Sequence, residues 1–282
     1  MAGYPSGDMQ QHPSVARSSR RSLVVAAVLA LFLASGFTPL RPAAPALAGT
    51  AETMEATILS LVNAQRTARG LVPLRYHAKL TTLAGDRVAV LASKGVLSHT
   101  APGCLKCQIG ERGIQWYSFG EVLAATSQDW GDAAAKSLVD AWKGSPGHWA
   151  ILMSNKFNYL GVGVAYRSAT GMTYGAIVTT EAKDQTSPWA QMTSKSVSGT
   201  TVTWKWTGAD TALQTHTAGL KSFDVQYRVD GGTWQTIATG TGYRSWSLSG
   251  RARGHWYGLR VRARDNCWYT SPWTAEMVVW VR

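Results

Sequence analysis

Two histidines, one glutamate and a pair of cysteines are the residues whose types and spacing could carry chemistry. His99 sits in Ser98-His99-Thr100, Glu121 in Gly120-Glu121-Val122, and His148 closes Ser145-Pro146-Gly147-His148. Imidazole nitrogens suit Zn²⁺ or Cu²⁺, and a nearby carboxylate can be a further ligand or a general base. Each His is equally at home as a helix cap or a plain hydrogen-bonding group, so taken singly they decide nothing. Cys104 and Cys107 form Cys-x-x-Cys. The pair reads as a small-loop disulfide, as half of a metal site that His99 could join, or as inert thiols; an oxidising compartment favours the disulfide. Cys267 is left over and is expected to be a buried small hydrophobe. Neither Gly-x-Ser-x-Gly nor His-Glu-x-x-His occurs, so two common hydrolase motifs are missing.

The elements that must position these residues can be read from apolar periodicity. Met54, Ile58, Leu61 and Val62 recur at helical spacing, and Gly70 stops that helix. Leu80, Leu83, Ala84, Val88 and Leu91 repeat the pattern up to Gly95. Asp132 is placed to cap a third helix with Ala135, Leu138, Val139 and Trp142 on its buried face. A short helix is expected from His148. Two strands follow, one with Leu160, Val162, Val164 and Tyr166 on one face and Gly161, Gly163 and Ala165 on the other. The small face would admit another layer at close range. Helices around a short sheet predict an α/β sandwich over 53–182. A linker is expected over 183–198, rich in Ser, Thr and Lys. From 199 to 282 the period changes to two, with Val202, Trp204 and Trp206, then Phe223 to Val229, then Tyr257 to Ala263, and Asp230-Gly231-Gly232 as a hairpin turn. That pattern predicts an all-β, immunoglobulin-like sandwich, and the chain as a whole is α+β.

The ordered series Ser-His-Thr, Gly-Glu-x-x-Ala, Ala-Trp-x-x-Ser-Pro-Gly-His, Phe-x-x-x-Gly-Val-Gly-Val-Ala resembles the bacterial branch of the CAP superfamily, the cysteine-rich secretory, antigen 5 and pathogenesis-related proteins. The resemblance implies an α-β-α sandwich with a surface cleft of two His and two acids. It assigns His99 and His148 as the two histidines, expected metal residues for a weakly held divalent ion such as Zn²⁺. It assigns Glu121 as the first acid. The second acid of the family falls where this chain has Ser145, in Trp142-Lys143-Gly144-Ser145. Glu121 and Ser145 are the expected ligand-binding positions. The resemblance implies an extracellular protein that binds a small hydrophobic or lipid-like ligand, or else a metal-assisted extracellular hydrolase with Glu121 as base; the lost acid favours binding. Residues 199–282 resemble a fibronectin type III module, on the Trp204 strand, the Phe223–Val229 hairpin with Trp234, and the Tyr257–Arg264 strand followed by Ser271-Pro272-Trp273.

Charge and the N-terminus set the compartment. The chain of 282 residues carries 28 Lys and Arg against 16 Asp and Glu, a surplus that favours anionic partners. Arg17, Arg20 and Arg21, the apolar run 23–37 and Ala46-Leu47-Ala48 form a three-part export signal over 1–48. The run is too short for a spanning helix, so a secreted chain with no stable membrane span after cleavage is expected. No nucleic-acid motif is present, and nucleic acid is not an expected partner. From Gln185 onward there are 11 basic and 5 acidic residues and nine of the 13 Trp. Arg260, Arg262 and Arg264 should share one strand face. That stripe reads as a surface for an anionic cell-envelope polymer or as a solvated face over a core that absorbs the Trp.

Overall fold

The computed structural model describes residues 50–282, so the expected export signal lies outside the described residues. Helix α1 (Ala51–Thr67) starts where Thr50 Oγ1 accepts from the Thr53 amide, and it buries Met54, Ile58 and Val62. After β1 (Arg75–Tyr76), α2 (Ala78–Lys94) is capped by His77 and ends at Gly95, whose φ of 69° suits a residue without Cβ. Then come α3 (Leu105–Glu111), β2 (Ser118–Thr126), α4 (Asp132–Lys143), α5 (Pro146–Leu152), β3 (Tyr159–Arg167) and β4 (Met172–Glu181). The sheet order is β1-β3-β4-β2, with β1 parallel to β3 and the other pairs antiparallel. On one face α1, α4 and α5 bury Ile58, Leu138, Trp142 and Leu152 against Val122, Leu160 and Ile177. On the other, α2 and α3 bury Leu83, Val88 and Ile109 against Leu123, Ala176 and Val178. This is the expected α-β-α sandwich.

The glycine face of β3 does what its composition predicts. A Cβ on Gly161 would come 2.0 Å from the Leu80 backbone, and one on Gly163 2.4 Å from that of Ala84. Glycine thus lets α2 lie directly on the strand. Asp132 differs from expectation: the N-cap of α4 is Gly131, which makes no side-chain cap. Asp132 lies inside the first turn, where a carboxylate suits the helix dipole, and its Oδ1 accepts from Thr57 Oγ1 of α1 at 3.2 Å. The elements β1 and α3, two and seven residues long, were not expected, because neither is long enough to display a period.

The C-terminal region comprises β5 (Trp189–Ser198), β6 (Thr201–Ala209), β7 (Leu220–Val229), β8 (Gln235–Thr241), β9 (Ser245–Leu248), β10 (His255–Asp265) and β11 (Met277–Val281). A three-stranded sheet β5-β6-β9 faces a four-stranded sheet β11-β10-β7-β8, with Trp204, Phe223, Val225, Leu259 and Val261 between them. Asp230 and Gly231 take φ of 49° and 72°, and Gly232 N donates to Val229 O at 2.9 Å, so a tight turn opens the connection 230–234 between β7 and β8. Most of the expected linker is strand, since β5 fills Trp189–Ser198. As an edge strand with mostly exposed side chains, β5 needs no apolar alternation, and that is why its composition reads as a linker. Asp184, also in that segment, is buried and accepts from Thr186 N and Ala218 N. Cys267 is half-buried and free. Among the described residues no helix is long and apolar enough to cross a membrane.

The loop between β6 and β7 ties the two regions together. Leu213 joins the core on the α2 side of the first sheet. Gln214 Oε1 accepts from Val72 N at 2.8 Å and from Arg66 Nη2 at 3.4 Å. Asn158, fully buried, donates to Thr215 O, and His216 Nε2 lies 3.0 Å from Glu181 Oε1.

Candidate functional site

Strand β2 is an edge strand, so groups from layers on both faces of the sheet can meet around it. Glu121 on β2 points to the α2 side. There it lies against Arg87, whose side chain is fully buried; Nε donates to Oε1 at 2.5 Å and Nη2 to Oε2 at 3.1 Å. His99, in the turn after α2, brings Nδ1 to 2.6 Å from Glu121 Oε2. His148, in the first half of α5, places its ring 6.1 Å from that of His99. The structure thus brings His99, Glu121 and His148 together. It leaves the Glu121 side chain 5% exposed, with Arg87 on both oxygens and His99 beside Oε2. Burial first, and the neighbouring His99 second, hold the His148 pKa below its ordinary value, so its imidazole is neutral at pH 7.

Ser145 is the N-cap of α5, one turn before His148, and its hydroxyl makes no capping hydrogen bond. Cys104 and Cys107 are joined as a disulfide. Cys104 is the N-cap of α3, its Sγ accepting from Cys107 N. That helix carries Gln108, whose Oε1 accepts from Arg87 Nη1 at 2.7 Å.

Two arginines escaped the sequence reading. Arg87 occupies a core position in the stripe Leu80, Leu83, Ala84, Val88, Leu91, and Arg66 continues Met54, Ile58, Val62 at steps of four. A charge on an apolar stripe is a legible signal that its partners must also be buried. Arg66 is fully buried and donates to Val72 O, Leu152 O and Ser154 O as well as to Gln214. Burial lowers its pKa to about 10, which still leaves it cationic at pH 7. Leu152 and Ser154 end the α5 segment that starts beside His148. Arg66 is therefore a strut between α1, the C-terminal end of α5 and the loop of the second region.

Metal fit rests on the donor set. His99 with Nδ1 on a carboxylate presents Nε2, the arrangement in which an outer carboxylate orients a metal-binding imidazole. Rings 6.1 Å apart are compatible with two nitrogens each about 2.0–2.1 Å from one ion. Two imidazoles would hold a Zn²⁺ ion, with the remaining positions left to water or ligand. A separate apolar cavity of about 150 Å³ lies against α1, lined by Glu55, Leu59, Tyr76 and Val162, and none of the cleft residues reaches it.

Residues 59–180 match the model of the CAP family, described as the cysteine-rich secretory protein family, and this part of the chain is a CAP domain. A stretch of 111 residues is 28% identical to the uncharacterized protein YkwD of Bacillus subtilis (strain 168), covering 39% of this chain and 41% of that one. The chain thus spans about two fifths of that relative's length. A solved extracellular protein containing an SCP domain from Bacillus anthracis is 23% identical, with TM-score 0.40, over 46% of this chain and 41% of that one. For the C-terminal sheets, an Fn3-like protein from Clostridium thermocellum is 24% identical, with TM-score 0.25, over 34% of this chain and 92% of that one.

Proposed function

We propose that this is a secreted CAP-domain protein whose cleft binds a small ligand, with a divalent ion such as Zn²⁺ held loosely by His99 and His148, and that it does not hydrolyse a substrate there. The observation that carries the reading is the engagement of Glu121. Both its oxygens are taken by Arg87 and His99, and Ser145 stands where a second acid would be. A general base must reach the proton it removes, and Glu121, with its side chain 5% exposed and both oxygens already accepting from Arg87, is poorly placed to do so. Export is supported by the basic, apolar and small-residue segments of the N-terminus.

The test is calorimetric titration of the protein with ZnCl₂, with His99→Ala and His148→Ala alongside. Each variant should lose at least about tenfold in affinity, and Glu121→Gln about 10–100-fold through the lost orienting bond. Affinity should also fall in acid, once the pH drops below the lowered His148 pKa and its imidazole protonates. Unchanged affinity in both His variants removes the metal from the proposal. Hydrolysis of a peptide or ester that disappears in His148→Ala replaces binding by catalysis.

A further inference from the structure

The outward face of the sheet β11-β10-β7-β8 carries an interleaved stack of cations and indoles. Arg260, Arg262 and Arg264 alternate with the buried Val261 and Ala263, so they project to the same side at intervals of about 6.6–6.8 Å. Trp234 is sandwiched between Arg228 and Arg260, at 4.5 and 4.1 Å from the ring centre. Trp273 lies between Arg260 and Arg262, at 4.8 Å from each. Trp268 meets Lys221 at 3.4 Å and Arg264 at 5.8 Å.

The stack is short of negative charge. Asp224 accepts from Arg262 and Arg264, and Glu276 from Arg228, which leaves two carboxylates for five cations. Although Glu276, which is bonded to Arg228, acts on it at longer range, Arg260 makes no salt bridge among the described residues. Its Nε and Nη2 both donate to the neutral Gln226 Oε1, which leaves Nη1 without a bond. Arg262 spends only Nε on Asp224, and Arg264 only Nη2. Indole stacking holds the three guanidinium forks in place before any ligand arrives, so little side-chain entropy remains to be lost on binding.

We propose that this face binds a linear, phosphodiester-linked polyol or sugar chain, with successive phosphates on Arg260, Arg262 and Arg264. The repeat of the forks along β10 matches an extended anionic chain with charges about 6–7 Å apart. Arg is suited to two-pronged phosphate contacts. A base-bearing polymer fits less well: bases bind by stacking on open rings, and here Trp234 and Trp273 each already have two guanidinium groups within 4.8 Å of the ring centre. Two exposed indoles with no cation stacked on them among the described residues are Trp256 and Trp280, 50% and 38% exposed, paired across β10 and β11 with centres 5.0 Å apart. Trp256 lies on the same side as Arg260, four residues or about 13 Å along the strand, and offers apolar contact to the polyol or sugar carbons. This inference is independent of the His cleft.

The experiment is binding of the full protein to immobilised poly(glycerol phosphate), with dextran and a (dT)15 oligonucleotide as parallel probes. Binding should fall at least tenfold between 50 and 300 mM NaCl, because exposed charges are screened. Arg260→Gln should cost about fivefold or more with an unchanged melting curve, and Arg260→Lys should lie between. Arg251→Gln, away from the stack, should bind like the parent. Equal binding by Arg260→Gln, retention indifferent to salt, or capture by dextran as strong as by the phosphate polymer would overturn the proposal. Tighter binding to (dT)15 would overturn it in favour of a nucleic-acid surface.

Discussion

Glu121 in the cleft and Asp224 on the C-terminal sheet each lie between two nitrogen-bearing side chains, in different surroundings: Arg87 and His99 for the first, Arg262 and Arg264 for the second. Around Glu121 the guanidinium of Arg87 has no exposure at all, and Gly103 O, His99 O and Gln108 take its remaining donors. Around Asp224 the carboxylate is 3% exposed, but its partners Arg262 and Arg264 keep 35% and 23% of their side-chain surface in water. For Asp224, burial pushes the pKa up, while Arg262, Arg264 and the Gly240 amide pull it down further, and the net result lies below the ordinary value. The difference teaches that an ion pair matters to stability according to what its members would suffer alone. Removing a partner strands Glu121 in the interior, whereas Arg262 can be replaced by water and the neighbouring Arg264.

The largest effect is expected from Arg87→Ala. It should destabilise by about 3–5 kcal/mol, read as a shift in the urea midpoint, because a buried carboxylate is left without its cation. A loss near that of a surface pair would show that water reaches Glu121. Next in size is Gln214→Ala, expected to cost about 1 kcal/mol by leaving Val72 N and part of Arg66 unsatisfied in a partly buried junction. Unfolding should remain a single transition in the parent, and two separated transitions would contradict the joined cores.

Glu55 is the opposite case, a half-buried carboxylate with no Arg or Lys paired to it among the described residues. Burial, and then Glu52, raise its pKa to about 7. The folded state therefore holds a proton that the unfolded chain has lost, and stability falls as pH rises from about 4.5 to about 7. Glu55→Gln should stabilise by about 1 kcal/mol at pH 8, after allowing for solvent screening, with the gain fading near pH 4. The smallest expected effect is Arg262→Ala, about 0.5 kcal/mol by thermal melting, since Arg264 stays on Asp224. Asp224 itself makes acid the harmful direction, its contribution being lost as pH falls below the ordinary carboxylate range.

Much of this was legible in the chain. The helical stripes of α1, α2 and α4, the glycine face of β3, the Asp230-Gly231 turn and the alternation in β6, β7 and β10 are local patterns, set by periods of 3.6 and 2. The order of the His and Glu segments carries the resemblance to the CAP proteins, and it was that resemblance that implied a cleft shared by His99, Glu121 and His148. The nine Trp after Gln185 were less legible. Trp204 and Trp206 are core residues, but Trp189, Trp256, Trp268 and Trp280 are exposed, and composition does not distinguish stacking on Arg from burial.

Only the tertiary structure decided the rest. The sequence specified Arg66 and Arg87 as charges on apolar stripes, but their acceptors lie 86 and 34 residues away, at Leu152 O and Glu121. The tie between the two regions is built on Gln214, 148 residues from Arg66, and no local period marks it. Periodicity reports which face of an element leaves water. It does not report which distant donor or acceptor that face will meet, and the desolvation cost of an unpaired buried charge makes that meeting decisive.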